Sequence, residues 1–483
     1  MNNVELARWQ FGLTTLFHFL FVPLTIGLAW LTAIMQTAWR RSGNDEWLRL
    51  TKFFGKILLI NVAVGVVTGL VQEFQFGMNW STYSRYVGDV FGAPLAIEGL
   101  AAFFLESTFL GIWVFGWDRI SPRLHLMTIY LTAVGATLSA VFILAANSWM
   151  QHPVGYEIAS SGRAQLTSIT AVFTNKVFLW ALPHTLLASL VTGSGLVLGV
   201  ACWHVRRGRE VEAFRRAAVV GLAVLFPCVG LGLMTGGRLA VTMTQVQPMK
   251  IAGMESLWET EEPASFSVVQ FGGMSSPDDG PWLDIEIPHL LSLLATNTWD
   301  GEVKGLTPLN DADQQQYGDG SYIPAIPLSY WGLRVMAYGG LWMLLVSGVG
   351  LFLLWRRKLF DAGWFLRIAT WSLALPFAMN LGGWLLTETG RQPWIVWGLQ
   401  KTRDAASPDV SSAQIVATLG TFVVLYAVLT GVDWWLMARV ARAGLDPAQV
   451  GEGTPGGPGG DGDEGGDRDD DEAGAQKPPA LTY

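Results

Sequence analysis

The chain has 483 residues, of which 51% are hydrophobic, 12% are aromatic and only 14% are charged, with a formal net charge of −8. An average soluble domain has about 25% charged residues, so this chain carries too few charges to cover a water-soluble globule of its size. The composition excludes an ordinary soluble enzyme, and its negative charge predicts no nucleic-acid partner.

Long uncharged apolar segments recur along the chain. A segment of about 20 such residues can cross a bilayer, and backbone polarity inside lipid requires it to be helical. The sequence therefore predicts an all-α integral membrane protein, a bundle of about nine transmembrane helices. The predicted spans are 11–38, 57–76, 91–117, 125–149, 178–203, 217–237, 330–354, 368–389 and 411–437.

The first span predicts a retained helix rather than a signal peptide, because it lacks a basic leader and a small-residue cleavage site. Cys202 and Cys228 both lie within apolar helices. A free thiol there behaves as a small hydrophobe, so no disulfide is expected.

Lysine and arginine residues in the short loops predict the orientation of the bundle, because cytoplasmic loops hold the excess of these residues. Basic clusters follow predicted helices 1, 3, 5, 7 and 9, at 40–56, 119–123, 206–216, 356–367 and 439–442. We therefore expect an N-terminus outside and a C-terminus in the cytoplasm.

Two segments are not expected to join the bundle. Residues 239–328, between helices 6 and 7, form a large outward-facing loop whose tryptophans indicate partial order. Residues 441–483 are rich in Gly and Asp and predict a disordered cytoplasmic tail. The chain is thus divided into helices 1–6 at 1–238, the loop at 239–328, helices 7–9 at 329–440, and the tail.

Ionisable side chains inside transmembrane helices mark functional sites by default, since burying them in lipid is costly. The sequence analysis finds six: His18, Glu98, Glu106, His184, Arg334 and Glu388. At the predicted orientation, His18, Glu98, His184, Glu388 and Met336 all fall at one depth near the outer surface.

This layer of His, Met and carboxylate suits haem iron, because His with Met is a low-spin axial pair and a lone His or carboxylate leaves a position open for oxygen. A transporter with a midplane acidic site is an alternative that would use Glu98 and Glu106 without Met336. Structural explanations also remain, such as hydrogen-bonded histidines or an Arg334–Glu388 pair. A haem-copper oxidase is disfavoured, because it needs more intramembrane histidines than this chain offers.

Several long motifs carry a family resemblance: RWQFGLTTLFHFLFVPLTIG at 8–27, TKFFGK at 51–56, the stretch QEFQFGMNW through FLESTFLG at 72–111, ANSWMQHPVG at 146–155 and GRQPW at 390–394. In this order they resemble cytochrome bd oxidase subunit I over residues 1 to about 440. The loop resembles the short-loop variety of the family, and the tail has no counterpart in it.

The resemblance implies two b-type haems and one haem d. His18 and Glu98 match the ligands of one high-spin haem, Glu388 matches the ligand of the other, and His184 with Met336 match the low-spin b pair. Which high-spin site holds haem d is left open. Trp384, Arg334 and Arg391 are also predicted at the cofactor sites, although Trp384 and Arg391 offer Glu388 a purely structural setting as well.

The resemblance also implies a quinol oxidase of the bacterial cell membrane. Lys250 and Glu255 match the quinol-binding pair, whereas either residue alone would ordinarily be a solvated loop charge. Menaquinol or ubiquinol would be oxidised at the outer loop and oxygen reduced to water with cytoplasmic protons, so that charge is separated without pumping. A second polytopic subunit and often a single-helix small subunit accompany this one.

Glu106 lies eight residues after Glu98, about 12 Å deeper in the bilayer and within about 80° around an ideal helix. With Ser107 beside it and Ser139 on the next helix, Glu106 is predicted to relay protons toward the oxygen site. The alternative is a neutral Glu106 that is simply bonded to a neighbouring helix.

Overall fold

The structure is a computed structural model, and it describes residues 2–445. The predicted tail lies outside the described residues from 446 onward. Its predicted start at 441 is slightly early, because the last helix continues to Ala443.

Helices dominate residues 2–445. They are α1 (Asn3–Ser42), α2 (Asp45–Met78), α3 (Ser81–Ile97), α4 (Phe104–Phe115), α5 (Pro122–Gln151), α6 (Ile169–Phe173), α7 (Lys176–Arg206), α8 (Val211–Val246), α9 (Pro248–Glu255), α10 (Leu290–Thr296), α11 (Leu306–Tyr317), α12 (Ile326–Trp355), α13 (Gly363–Ser372), α14 (Leu375–Thr389) and α15 (Ser412–Ala443). A π-helical segment, Glu98–Phe103, joins α3 to α4.

Three small antiparallel hairpins accompany the helices. They are β1 (Tyr156–Ile158) with β2 (Ala164–Leu166), β3 (Phe266–Gly272) with β4 (Pro281–Ile287), and β5 (Trp394–Val396) with β6 (Gln400–Lys401). All three lie between the long helices, so the prediction of a mostly α-helical membrane bundle is confirmed.

Among the described residues, eight helices are long and apolar enough to cross a membrane. They correspond to eight of the nine predicted spans. The remaining prediction, 368–389, falls on a helix that is broken between α13 and α14 at Leu373 and Ala374. Pro376 in the first turn of α14 explains the break, because proline cannot supply an amide proton to the preceding turn.

The long helices begin and end where local signals place them. Asn2 and Glu5 form a capping box at the start of α1, and Ser411 and Gln414 form another at the start of α15. These side chains satisfy the free amide groups of the first turn. Gly43 ends α1 in a left-handed conformation, which glycine adopts without strain.

The core of the bundle lies where α1, α2, α7 and α8 pack together, with α12 and α13 closing one side. Gly27 and Gly193 allow α1 and α7 to approach closely, because a Cβ at Gly27 would lie 2.9 Å from the Gly193 amide nitrogen. By contrast, α4 and α15 leave most of their apolar surface uncovered. Such surfaces suit lipid or another membrane subunit.

The predicted outward loop is shorter than expected at its start, because α8 continues to Val246. The segment between α8 and α12 is ordered, as the tryptophans indicated. It contains α9, the β3–β4 hairpin, α10 and α11, and α9 is buried along most of its length.

Candidate functional site

A cavity of about 790 Å³ lies between α1, α2, α5 and α14. Its lining is mainly apolar but includes five of the residues predicted for haem or proton chemistry: His18, Glu98, Glu106, Ser139 and Glu388. Trp384 and Arg391 also line it. A space of this size and character is typical of a site for a large, mostly apolar cofactor.

His18 has a hydrogen-bonding arrangement suited to metal binding. Its Nδ1 lies 3.0 Å from the Thr68 hydroxyl, and that hydroxyl donates to the carbonyls of Val64 and Gly65, each at 3.0 Å. Because the Thr68 proton is used in this way, Nδ1 is the donor of the His18–Thr68 bond. The Nε2 lone pair is therefore left for an iron ligand bond, as in metal-binding histidines generally.

Glu98 begins the π-helical segment, and the Ser139 hydroxyl donates to its carboxylate. A π-helical turn inserts an extra residue into a helix and is frequent at functional sites. Glu98 and Glu106 are therefore not separated by the angle of about 80° that holds around an ideal α-helix. Both carboxylates nevertheless line the same cavity.

Glu388 is held from two sides at the end of α14. Asn147 donates to one carboxylate oxygen at 2.8 Å, and Arg391 donates to the other at 2.5 Å. Trp384, one turn earlier, stacks on Phe19 at 5.2 Å between ring centroids. The intramembrane partner of Glu388 is thus Arg391, and the suggested Arg334–Glu388 pair does not form.

His184 and Met336 lie outside this cavity, on α7 and α12. His184 Nδ1 donates to the Gly232 carbonyl at 3.0 Å, which again leaves Nε2 free to bind a metal. Each side chain faces a glycine: a Cβ at Gly236 would lie 3.0 Å from His184 Cε1, and a Cβ at Gly383 would lie 2.7 Å from Met336 Sδ.

Glu106 borders two cavities. Besides the larger one, it lines a second cavity of about 360 Å³ that runs along α2 and α4 as far as Phe115. Ser107 lines only the second cavity, and its hydroxyl donates to the Phe103 carbonyl at 2.8 Å. Of the two residues, only Glu106 reaches both of these cavities.

Lys250 lies on α9, buried against the GRQPW segment. Its ammonium donates to Gln151 Oε1, and its side chain packs on Gly390. Burial lowers the pKa of Lys250 to about 7, and the nearby Arg391 lowers it further whereas Glu388 opposes the shift. Lys250 is therefore a buried amine that titrates near neutral pH, and not a solvated loop charge.

Glu255 ends α9 and forms a buried ion pair with Arg334, whose guanidinium donates to Glu255 Oε2 at 2.7 Å. Arg334 also donates to the carbonyls of Met254 and Ser267, so it holds the loop and does not line the large cavity. Burial raises the pKa of Glu255 to about 7, against the opposing effect of Arg334. Lys250 and Glu255 have separate partners and do not contact each other through any hydrogen bond.

Three further residues were not among the sequence predictions. Thr68 fixes the tautomer of His18, and Asn147 fixes Glu388; neither is ionisable, so the search for charged groups overlooked them. Asp433 on α15 is a further intramembrane carboxylate, fully buried with neither oxygen hydrogen-bonded. Its charge was visible in the sequence within the last predicted span.

The chain is similar to known proteins over most of its length. A family model described as cytochrome bd terminal oxidase subunit I matches residues 6–445. The chain is 42% identical over 452 residues to "Cytochrome bd ubiquinol oxidase subunit 1" of Bacillus subtilis, covering 92% of this chain and 95% of that protein. It is 36% identical to "Cytochrome bd-II ubiquinol oxidase subunit 1" of Escherichia coli, covering 91% and 96%.

Two further comparisons concern a second relative and a solved structure. The chain is 30% identical to "Putative cytochrome bd menaquinol oxidase subunit I" of Bacillus subtilis, covering 89% of this chain and 94% of that protein. The bd oxidase structure from Geobacillus thermodenitrificans aligns with a TM-score of 0.82 at 28% identity, covering 92% of this chain and 99% of that one. The chain belongs to the cytochrome bd terminal oxidase subunit I family.

Proposed function

We propose that this chain is the haem-bearing catalytic subunit of a quinol:oxygen oxidoreductase, with two b-type haems and one haem d. The observation that carries the proposal is the large cavity in which His18, with its Nε2 free, lies with Glu98 and Glu388. His18 and Glu98 would hold one high-spin haem, Glu388 the other, and His184 with Met336 the low-spin haem. When bound, the haems supply electron transfer and oxygen binding. The transporter alternative is dropped, because the family is one of oxidases.

The quinol is proposed to bind along α9. Lys250 and Glu255 both have a pKa near 7, so each can exchange a proton with a hydroxyl-bearing ring at neutral pH. Lys250 and Glu255 lie toward opposite ends of α9 and have different hydrogen-bond partners. The quinol ring would therefore contact one residue at each end of α9, and not both residues in a single cleft. The relatives include oxidases named for ubiquinol and for menaquinol, so the proposal extends to quinols as a class.

Protons for water formation are proposed to enter from the cytoplasm through Glu106. This is supported by its position on both cavities and by the Ser139–Glu98 hydrogen bond beyond it. Protons released by quinol would leave on the outer side. Charge would therefore be separated across the membrane without pumping.

The chain is proposed to work in the bacterial cell membrane with a second polytopic subunit and a single-helix small subunit. The relatives are named as subunit 1, which implies a partner subunit. The uncovered apolar surfaces of α4 and α15 could receive such partners. The N-terminus would be outside and the C-terminus in the cytoplasm, as the basic clusters indicate.

A reduced-minus-oxidised absorption spectrum of the purified complex tests the cofactor content. We expect b-type bands together with the red band of a chlorin-type haem. A preparation that contains the intact chain but no haem contradicts the proposal.

Glu255→Gln tests the quinol site. We expect quinol oxidation to fall while oxygen reduction with artificial donors that bypass the loop is retained. Glu259→Gln, at an exposed carboxylate of the same loop, serves as the matched control. Equal loss with both kinds of donor would indicate misfolding and would remove Glu255 from the quinol site.

A further inference from the structure

The β3–β4 hairpin presents an apolar face to its surroundings. Strand pairing places Phe266 opposite Ile287, Val269 opposite Ile285 and Phe271 opposite Leu283, and a bulge after Ser267 keeps these pairs on one face. On β4 this face is open: Ile285 is 52% exposed and Ile287 is 45% exposed.

The opposite face of the same hairpin is polar, and on β3 it is turned toward the protein, whereas Glu286 on β4 is exposed. Ser267 and Gln270 are each only 4% exposed. The Ser267 hydroxyl lies 2.8 Å from Asp284 Oδ1 and 2.7 Å from the Tyr330 hydroxyl, and Gln270 donates to Ser256 at 3.3 Å. A hairpin on the surface of a soluble protein has the reverse pattern, with its apolar side on the core. Strands that face lipid have apolar side chains turned outward and polar side chains turned inward, as β4 and β3 of this hairpin show respectively.

The hairpin is fastened to a membrane-spanning helix. The Tyr338 hydroxyl of α12 donates to the Val268 carbonyl, and the Phe271 ring lies 5.3 Å from that of Trp331. Tyr338 is about 18 Å from the start of α12 at 1.5 Å per residue, which is within a candidate span. The hairpin therefore contacts α12 at a level inside the candidate span.

Neighbouring side chains continue the apolar surface. On α12, Val335 is 41% exposed and Trp342 is 43% exposed. Beside the turn of the hairpin, Trp282 is 76% exposed and stacks on Phe271 at 5.3 Å. Tryptophan is enriched at the boundary between lipid and water.

We propose that the apolar face of the β3–β4 hairpin lies in the bilayer, at the acyl-chain boundary of the leaflet on the loop side. The acidic turn between the strands, with exposed Asp278 and Asp279, stays in water. The hairpin would thus separate the Glu255–Arg334 pair from lipid. It is joined to this pair by the hydrogen bond from Arg334 to the Ser267 carbonyl. The proposal rests on the membrane character of the chain and does not depend on quinol chemistry.

Spin labelling of the complete oxidase in phosphatidylcholine vesicles tests this contact. A nitroxide on Ile285→Cys should collide readily with oxygen, which partitions into lipid, and be shielded from a water-soluble nickel chelate. A nitroxide on Asp278→Cys, the matched control, should show the opposite preference. The unsubstituted chain, whose two cysteines are buried, gives the background labelling.

Two outcomes overturn the proposal. High nickel accessibility at position 285 means that the face is in water, and low accessibility to both reagents means that another protein subunit covers it. An unchanged absorption spectrum is required of each variant, and Ile287→Cys replaces Ile285→Cys if the latter does not assemble.

Discussion

The hydrogen-bond partners of the candidate ligands decide which atoms can reach a metal. His18 and His184 each use Nδ1 as a donor, to Thr68 and to the Gly232 carbonyl, and so present Nε2. Such partners fix the orientation of a ligand ring and tune its basicity. The two groups that fix these histidine rings, the Thr68 hydroxyl and the Gly232 carbonyl, are therefore uncharged.

Thr68→Val is expected to weaken haem retention at the His18 site by about 10- to 100-fold, because the variant keeps the volume but removes the acceptor that fixes the His18 ring. The haem content of the purified complex, followed during dilution, measures the effect. Thr68→Ser retains a hydroxyl and should behave like the parent chain. If Thr68→Val holds its haem as tightly as Thr68→Ser, then His18 does not depend on this bond.

Met336→Leu is expected to abolish or shift the low-spin b signal, because it removes the sulfur but preserves the volume beside Gly383. A volume-conserving exchange of this kind usually costs less than about 1.5 kcal/mol, so the protein should still fold and keep much of its high-spin haem. The visible spectrum of the reduced complex provides the measurement. An unchanged spectrum would remove Met336 from the ligand set.

The raised pKa of Glu255 predicts a pH-dependent contribution to stability. Below the ordinary value of 4.5 both the folded and unfolded chains hold the proton, and there is no penalty. As pH rises from 4.5 to about 7, the unfolded chain loses the proton while the folded chain keeps it, so stability falls; above about 7 the penalty is constant.

Glu255→Gln should therefore gain stability relative to the parent as pH rises through this window, and the difference should level off above about pH 7. Temperatures of half-inactivation of both chains at pH 5 and pH 8 report the change. Glu259→Gln, at an exposed carboxylate of the same loop, is the matched control for the substitution. A difference that is independent of pH would mean that Glu255 is ionised in the folded protein throughout.

At the level of elements, the π-helical segment and the close approach of α5 together position Glu106. A Cβ at Gly135 of α5 would lie 2.7 Å from the Glu106 amide nitrogen, so only glycine permits this approach. Glu106 is thereby held between the two cavities, opposite the helix that carries Ser139. An ideal helix would have related Glu98 and Glu106 differently, because a π-helical turn contains more residues than an α-helical turn.

Glu106→Gln is expected to slow steady-state oxygen consumption by about 100-fold or more, since Gln cannot pass a proton but occupies the same space. The haems should remain bound and reducible, which the spectrum of the same preparation records. Ser107→Ala, which changes a hydroxyl that is bonded to its own helix, is the control and should be mild. Near-normal turnover of Glu106→Gln with full haem content would favour the neutral, structural carboxylic acid.

At the level of the whole molecule, the distribution of basic residues predicts the orientation in the membrane. The clusters that follow α1, α4, α7, α12 and α15 all fall on one side of the bundle if each long helix crosses the membrane and the broken pair α13 and α14 crosses once. The β3–β4 hairpin and the α9 helix then lie on the other side. In the proposed function, quinol oxidation and proton uptake would then take place on opposite sides of the bilayer.

Cysteine labelling in whole cells tests this orientation. Ser275→Cys, at the exposed hairpin turn, should react with a membrane-impermeant maleimide from outside. Arg206→Cys, at the exposed end of α7, should react only after the membrane is permeabilised. The reverse labelling pattern would invert the topology and the proposed proton source.

The sequence by itself determined the membrane-embedded α-helical class and eight of the spans, and it singled out His18, Glu98, Glu106 and Glu388, which the structure brings to one cavity. It could do so because apolar length and buried charge are local properties of the chain. The tertiary structure alone decided the partners. Arg334 pairs with Glu255 and not Glu388, and the β3–β4 hairpin turns its apolar face outward, because such contacts join residues that are far apart in the sequence. The π-helical turn also appeared only in the structure, whereas the break between α13 and α14 has a local cause in Pro376 that the apolar length of the span had masked.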